Sequence, residues 1–101
     1  MKTVSIKIEI TVIRLTDDGY REKEEVVFAQ TVELQPGNMS KARAICTRQF
    51  NKHLKAHADT NKVIIGGRYW GQLQYSPYST YSGSLTGQRG KIVRRDGTYD
   101  V

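Results

Sequence analysis

The sequence predicts an α+β fold in which an antiparallel sheet of three to five strands carries one amphipathic helix on one face, in the order β-β-α-β with a further C-terminal strand. Three observations carry this reading. Residues 4–12 alternate apolar and polar at a period of two, residues 39–58 repeat at a helical period, and clusters of Asp, Gly, Pro and Asn punctuate the stretches between them.

The first strand places Val4, Ile6, Ile8, Ile10 and Val12 on one side and Ser5, Lys7, Glu9 and Thr11 on the other, the pattern of a sheet with one dry and one wet face. Thr16-Asp17-Asp18-Gly19 supplies turn chemistry, because Asp side chains bond their own backbone and glycine accepts positive φ. A second strand follows from about Glu22 to Leu34. Val26, Phe28, Val32 and Leu34 share its dry face, which Gln30 interrupts either as a bulge or as the rim of the helix footprint. Pro36 lacks a ladder donor and ends the strand, and Asn38 is placed to cap a helix from Met39 to Ala58.

At 100° per residue, Met39, Ala42, Cys46, Phe50, His53, Leu54 and His57 fall on one side of that helix. Lys41, Arg48, Lys52 and Lys55 gather within about 60° of one another on the opposite side. Asp59-Thr60-Asn61 stops the helix, with Asn61 suited to a left-handed cap. A third strand starts at Lys62 or Val63 and reaches toward Tyr75; Gly66, Gly67 and Gly71 in it point to a bulge or a close backbone approach. From Ser76 to Gly90 no apolar period is visible, so this Ser/Gly/Tyr-rich stretch reads as a long loop. Lys91 to Val101 then forms a last strand or a small hairpin about Asp96-Gly97.

At 101 residues the chain is sized for one domain, taken as residues 1–101. The single cysteine excludes an intramolecular disulfide and points to a reducing, cytoplasmic or nuclear setting. The N-terminus alternates charged and apolar residues and lacks the apolar core of a signal peptide, and no run approaches membrane-spanning length, so no membrane partner is expected. Net charge is +6 and unevenly spread. Residues 1–34 hold five Lys/Arg against seven Asp/Glu, residues 35–61 five against one, and residues 62–101 six against two. The positive charge therefore belongs to the helix and the C-terminal third, and attracts polyanions: nucleic acid or an acidic protein surface.

The candidate site joins those two regions. Arg68, Tyr69, Trp70, Tyr75, Tyr78 and Tyr81 interleave with Arg89, Lys91, Arg94 and Arg95, and the helix adds Lys41, Arg48, Lys52 and Lys55. Lysine and arginine neutralise phosphates, while aromatic faces stack on unpaired bases at roughly 1–3 kcal/mol each, so a groove built from both prefers single strands. The same residue types are enriched at protein interfaces, and in that reading Tyr69 and Trp70 straddle one strand with one of them in the core. The rival function is accordingly a protein-interaction or assembly component, of the size small viral genomes encode, acting through the 76–90 loop or through homodimerisation by sheet-edge pairing.

Other chemistry finds little footing. Gly87-Gln88-Arg89-Gly90 is a weak phosphate-loop signal that reads equally as a turn between strands; Leu85 and Ile92 stand where a P-loop needs glycine and Ser/Thr, and no helix flanks it as a KH loop requires. Cys46, His53 and His57 share a helix side but lack a fourth ligand, and Cys46 reads as core. Glu24 and Glu25 point to opposite faces, Asp17 and Asp18 serve the turn, and a Cys46–His53 dyad would need the thiol at a pocket mouth. The expectation is a non-enzymatic binding module without metal or cofactor.

Overall fold

The computed structural model of the chain describes residues 3–35, 38–72 and 80–99, with residues 72, 80, 81 and 97–99 described through their backbone. Five strands and one helix follow in the order β1 (Val4–Leu15), β2 (Arg21–Leu34), α1 (Met39–Ala56), β3 (Val63–Gln72), β4 (Thr80–Gln88) and β5 (Lys91–Tyr99). They form one antiparallel sheet ordered β2-β1-β3-β4-β5. This is the α+β architecture that the sequence predicts, with the helix packed on one face.

The core follows directly from the period-two stretch of β1. Val4, Ile6, Ile8, Ile10 and Val12 are each no more than 3% exposed beneath Met39, Ala42, Cys46, Phe50 and Leu54 of the helix. Each such aliphatic side chain withdrawn from water contributes roughly 1.5–3 kcal/mol, which offsets part of the chain entropy lost in ordering the strand. The β1–β2 turn forms at Asp17-Asp18-Gly19: the Gly19 amide bonds the Thr16 carbonyl at 2.9 Å, and Gly19 takes φ +86°. Positive φ at that position lets the chain re-enter the ladder, where the Thr16 amide donates to the Tyr20 carbonyl at 2.7 Å.

β2 departs from its expected face pattern before Phe28, where the ladder with β1 skips a residue at Val27 and again at Glu22. Ile10 pairs with Phe28 but Thr11 pairs with Val26, so Val27 is a bulge, and Gln30 stays in register opposite Ile8. A one-residue insertion reverses every side chain beyond it. Val26 is therefore turned off the helix-facing side and is 52% exposed, whereas Phe28 and Val32 still pack on the core.

β2 and β3 run in the same direction on either side of β1, so α1 crosses over β1 between them. Asn38 stands at the helix N-cap without a side-chain cap bond. The helix ends at Ala56, earlier than expected, with the His57 amide bonded to the Leu54 carbonyl at 3.3 Å. Arg89 is the described non-glycine residue with positive φ, so Asn61 is not the left-handed cap expected of it. In β3 the glycines admit close approach rather than bulges: a Cβ on Gly67 would stand 3.2 Å from both Phe50 Cδ1 and Ile10 Cδ1.

The expected loop over residues 76–90 is corrected by β4. Residues 76–79 lie outside the described residues, but Thr80–Gln88 pairs with β3 from Gln72 to Ile64 and with β5 on its other side. The strand was invisible to periodicity because its helix-facing side reads Gly83, Leu85, Gly87, and the apolar filling comes from elsewhere. The Tyr69 ring covers Gly83, and a Cβ on Gly87 would stand 2.6 Å from Leu54 Cδ1 and 2.9 Å from Phe50 Cζ. Arg89 and Gly90, at φ +53° and +74°, make the two-residue turn into β5, so the G-x-x-G stretch is a hairpin turn between strands. Asp96 and Gly97 continue β5 instead of turning, and Val93 is a bulge in this edge strand, between Thr86↔Arg94 and Gly87↔Ile92.

Candidate functional site

The residues expected to form one groove divide between two sides of the sheet. Lys41, Arg48, Lys52 and Lys55 are exposed on the outer side of α1, away from the buried Met39, Ala42, Cys46, Phe50 and Leu54. Over 14 residues of helix the stripe extends about 21 Å at 1.5 Å per residue. α1 contains five Lys/Arg and no Asp/Glu. None of the four stripe residues forms an ion pair among the described residues.

Arg68 and Trp70 lie on the opposite side, on the sheet face that the helix leaves open. Their register partners on β1, Glu9 and Lys7, belong to the polar set of that strand. The Arg68 guanidinium carbon stands 4.5 Å from the centre of the Trp70 ring, within cation–π range. Its Nη2 also donates to Glu9 at 2.8 Å. A hollow of about 360 Å³ opens beside this pair, lined by Arg68, Tyr69, Trp70, Ser82, Gly83, Ser84 and Asp96. The hollow exists because β4 places small residues against the large ones of β3. Its charge is largely balanced, since Glu9 meets Arg68 and Asp96 meets Arg94 Nε at 2.6 Å.

Tyr69, one residue from Trp70, faces the other way and is 5% exposed in the core, so its ring is not offered for stacking. Its hydroxyl accepts from Arg43 Nε at 3.3 Å. Arg95 pairs with Leu85 and so sits on the helix side of β5, whereas Arg94, paired with Thr86, sits on the open side. Arg89 is in the hairpin turn, and Arg89 and Lys91 border a depression with Ala58, Gln88 and Val93 at the far end of α1. Tyr81 pairs through its backbone with Gly71 and Tyr99; Tyr75 and Tyr78 lie outside the described residues.

The chain shows no significant match to any protein-family model, curated protein or solved structure. Its chemistry has to be read from its own geometry.

Cys46 is fully buried, and burial pushes its thiol up to about 11, far from the thiolate a nucleophile needs. Among the described residues no three His, Cys, Asp or Glu side chains converge as metal ligands would. No helix among them is long and apolar enough to cross a membrane. Sequence reasoning missed Arg43 and Thr47. They line a second cleft, of about 300 Å³, between α1 and the β4–β5 hairpin, together with Tyr69, Ser84, Leu85, Arg95 and Asp96. The available signal was the helical wheel, on which Arg43 falls next to Met39, Phe50 and Leu54 and far from the basic stripe.

Proposed function

We propose that this chain is a non-enzymatic binding module that takes nucleic acid by its phosphates along the outer face of α1. One observation carries the reading: an 18-residue helix with five cations and no acid, four of the cations pointing outward in one sector without ion-pair partners among the described residues. A surface of that kind gathers a polyanion by releasing its counterions, independently of sequence. The Trp70–Arg68 pair sits behind the sheet from this stripe, so a strand reaches both only by passing round a sheet edge. Any preference for single strands should then grow with strand length.

The assembly reading draws less support. Thr80–Gln88, the larger part of the supposed insertion loop, is paired on both sides, and both edge strands carry a bulge, at Val27 and Val93, a device that blunts strand addition.

The test is fluorescence anisotropy with a labelled 20-nucleotide single strand. Four phosphate contacts predict a fall in affinity of roughly 50-fold between 50 and 200 mM salt. Lys52→Glu combined with Lys55→Glu should about halve the log–log salt slope while the circular dichroism stays unchanged. Absence of binding at 50 mM salt, or an unaltered slope in the double variant, would refute the reading.

A further inference from the structure

We propose that the hollow on the open face of the sheet is a nucleobase site, which takes an unpaired guanine between the Trp70–Arg68 pair and the carboxylate of Asp96. The site stands apart from the basic stripe and does not rest on the stripe's reading. Its shape comes from neighbouring strands of unequal bulk. α1, the one helix among the described residues, lies on the other face, so this face stays open. β3 raises Arg68 and Trp70 from it, while their register partners on β4, Ser84 and Ser82, are small. Asp96, paired with Ser84, forms the far wall on β5. The hollow between them holds about 360 Å³, within the size range of small-ligand sites.

Three features of the lining select the ligand. The first is a planar wall. Trp70 is half-buried, and the Arg68 guanidinium lies 4.5 Å from its ring centre, held there in turn by Glu9 at 2.8 Å. Indole and guanidinium are both surfaces on which bases stack, and a ring already oriented loses little freedom when a base arrives. The second is charge. Arg68 is matched by Glu9 and Asp96 by Arg94, so the hollow suits a neutral ligand better than a phosphate or a bare cation. The third is the acceptor. Arg94 Nε donates to Oδ2 of Asp96 at 2.6 Å, and a carboxylate offers about four acceptor positions over its two oxygens. Guanine presents two N–H donors side by side on its Watson–Crick edge, which a carboxylate accepts as a pair. Uracil presents one N–H between two carbonyl oxygens, which the same carboxylate repels. The Ser84 hydroxyl, beside Asp96 on the same face, adds a donor for the guanine carbonyl.

Trp70 is the only tryptophan of the chain, so its fluorescence reports on this hollow directly. The experiment titrates the full chain with guanosine 5′-monophosphate or uridine 5′-monophosphate at constant ionic strength. The two probes carry the same phosphate and differ in the base alone. The guanosine nucleotide is expected to quench Trp70 saturably, and the uridine nucleotide to bind at least about fivefold more weakly. Asp96→Ala should bring the two affinities within about twofold of each other. It also releases Arg94, but that cation draws both phosphates alike and leaves the ratio as the readout. Asp96 is exposed on an edge strand, and an unchanged circular dichroism spectrum checks that the variant keeps the fold. Trp70→Leu, read by the amide shifts of Ser82 and Ser84, should weaken the guanosine nucleotide at least about fivefold. Lys52→Glu with Lys55→Glu should leave the quench unchanged, so this site and the stripe stand or fall separately. A quench that does not saturate, equal affinity for the two nucleotides, a ratio unaltered by Asp96→Ala, guanosine-nucleotide affinity unchanged by Trp70→Leu, or loss of the quench in the stripe variant would overturn the proposal.

Discussion

The Tyr69 ring lies across the Cα of Gly83, its register partner on β4, so closely that no side chain fits between them. A Cβ on Gly83 would enter the phenol ring itself. Gly83→Ala is therefore expected to push Tyr69 off its rotamer and cost about 1–3 kcal/mol, the usual range for overpacking. Urea unfolding measures the loss. Tyr69→Phe in the Gly83 background removes only the hydroxyl that holds Arg43, and is expected to cost roughly 0.5–1.5 kcal/mol.

Arg89 occupies the left-handed region at φ +53° in the two-residue turn before β5. A branched-at-Cβ-free but bulky side chain there still carries a steric penalty of about 1–2 kcal/mol, which asparagine largely escapes. Arg89→Asn creates the Asn-Gly pair that such turns favour and should raise stability by about 1 kcal/mol. A thermal melt should show this as an increase of roughly 4–8 °C.

Cys46 is protonated in the folded protein up to about 11, against an ordinary value of 9.0, because burial disfavours the thiolate. Between those two values the unfolded chain loses its thiol proton and the folded chain keeps it. The contribution to stability is thus complete below pH 9 and declines as pH rises toward 11. Cys46→Ala should flatten that part of the stability profile, and the native thiol should resist a disulfide reagent at pH 8 until the protein is unfolded.

His53 is held below its ordinary value of 6.5, first by desolvation and then by the neighbouring Lys52 and His57. Here the sign is reversed. As pH falls through 6.5 the unfolded chain takes up a proton that the folded chain resists, so stability drops on acidification. An NMR titration should place His53 below 6.5, and Lys52→Gln should move it upward. His53→Gln should remove part of the stability lost between pH 7.5 and pH 5.5.

The parts of the fold legible in the sequence are those in which one element carries its own apolar face. β1 does so with Val4 through Val12, and α1 with Met39, Ala42, Cys46, Phe50 and Leu54. The helix stripe was legible for the same reason, since an 18-residue helix fixes which side chains oppose its buried face. The C-terminal third was not. β4 has glycines where a strand of this kind would show aliphatics, and the loop reading of residues 80–88 failed because Tyr69, Phe50 and Leu54 fill those places from other elements.

By itself, then, the sequence determined that a hairpin, a helix with a cationic outer side and the third strand, β3, exist, because helical and pleated periods are local properties of the chain. Only the tertiary structure decided which residues share a surface. The bulges at Val27 and Val93 exchange faces in a way no period announces, sending Val26 outward and deciding that Arg95 rather than Arg94 takes the helix side of β5. The sheet itself separates Arg68 and Trp70 from Lys41, Arg48, Lys52 and Lys55, and the gap between α1 and β5 brings Arg43 and Arg95 to one cleft. Each of these is a relation between residues distant in sequence, set by register and by how far one helix reaches across five strands.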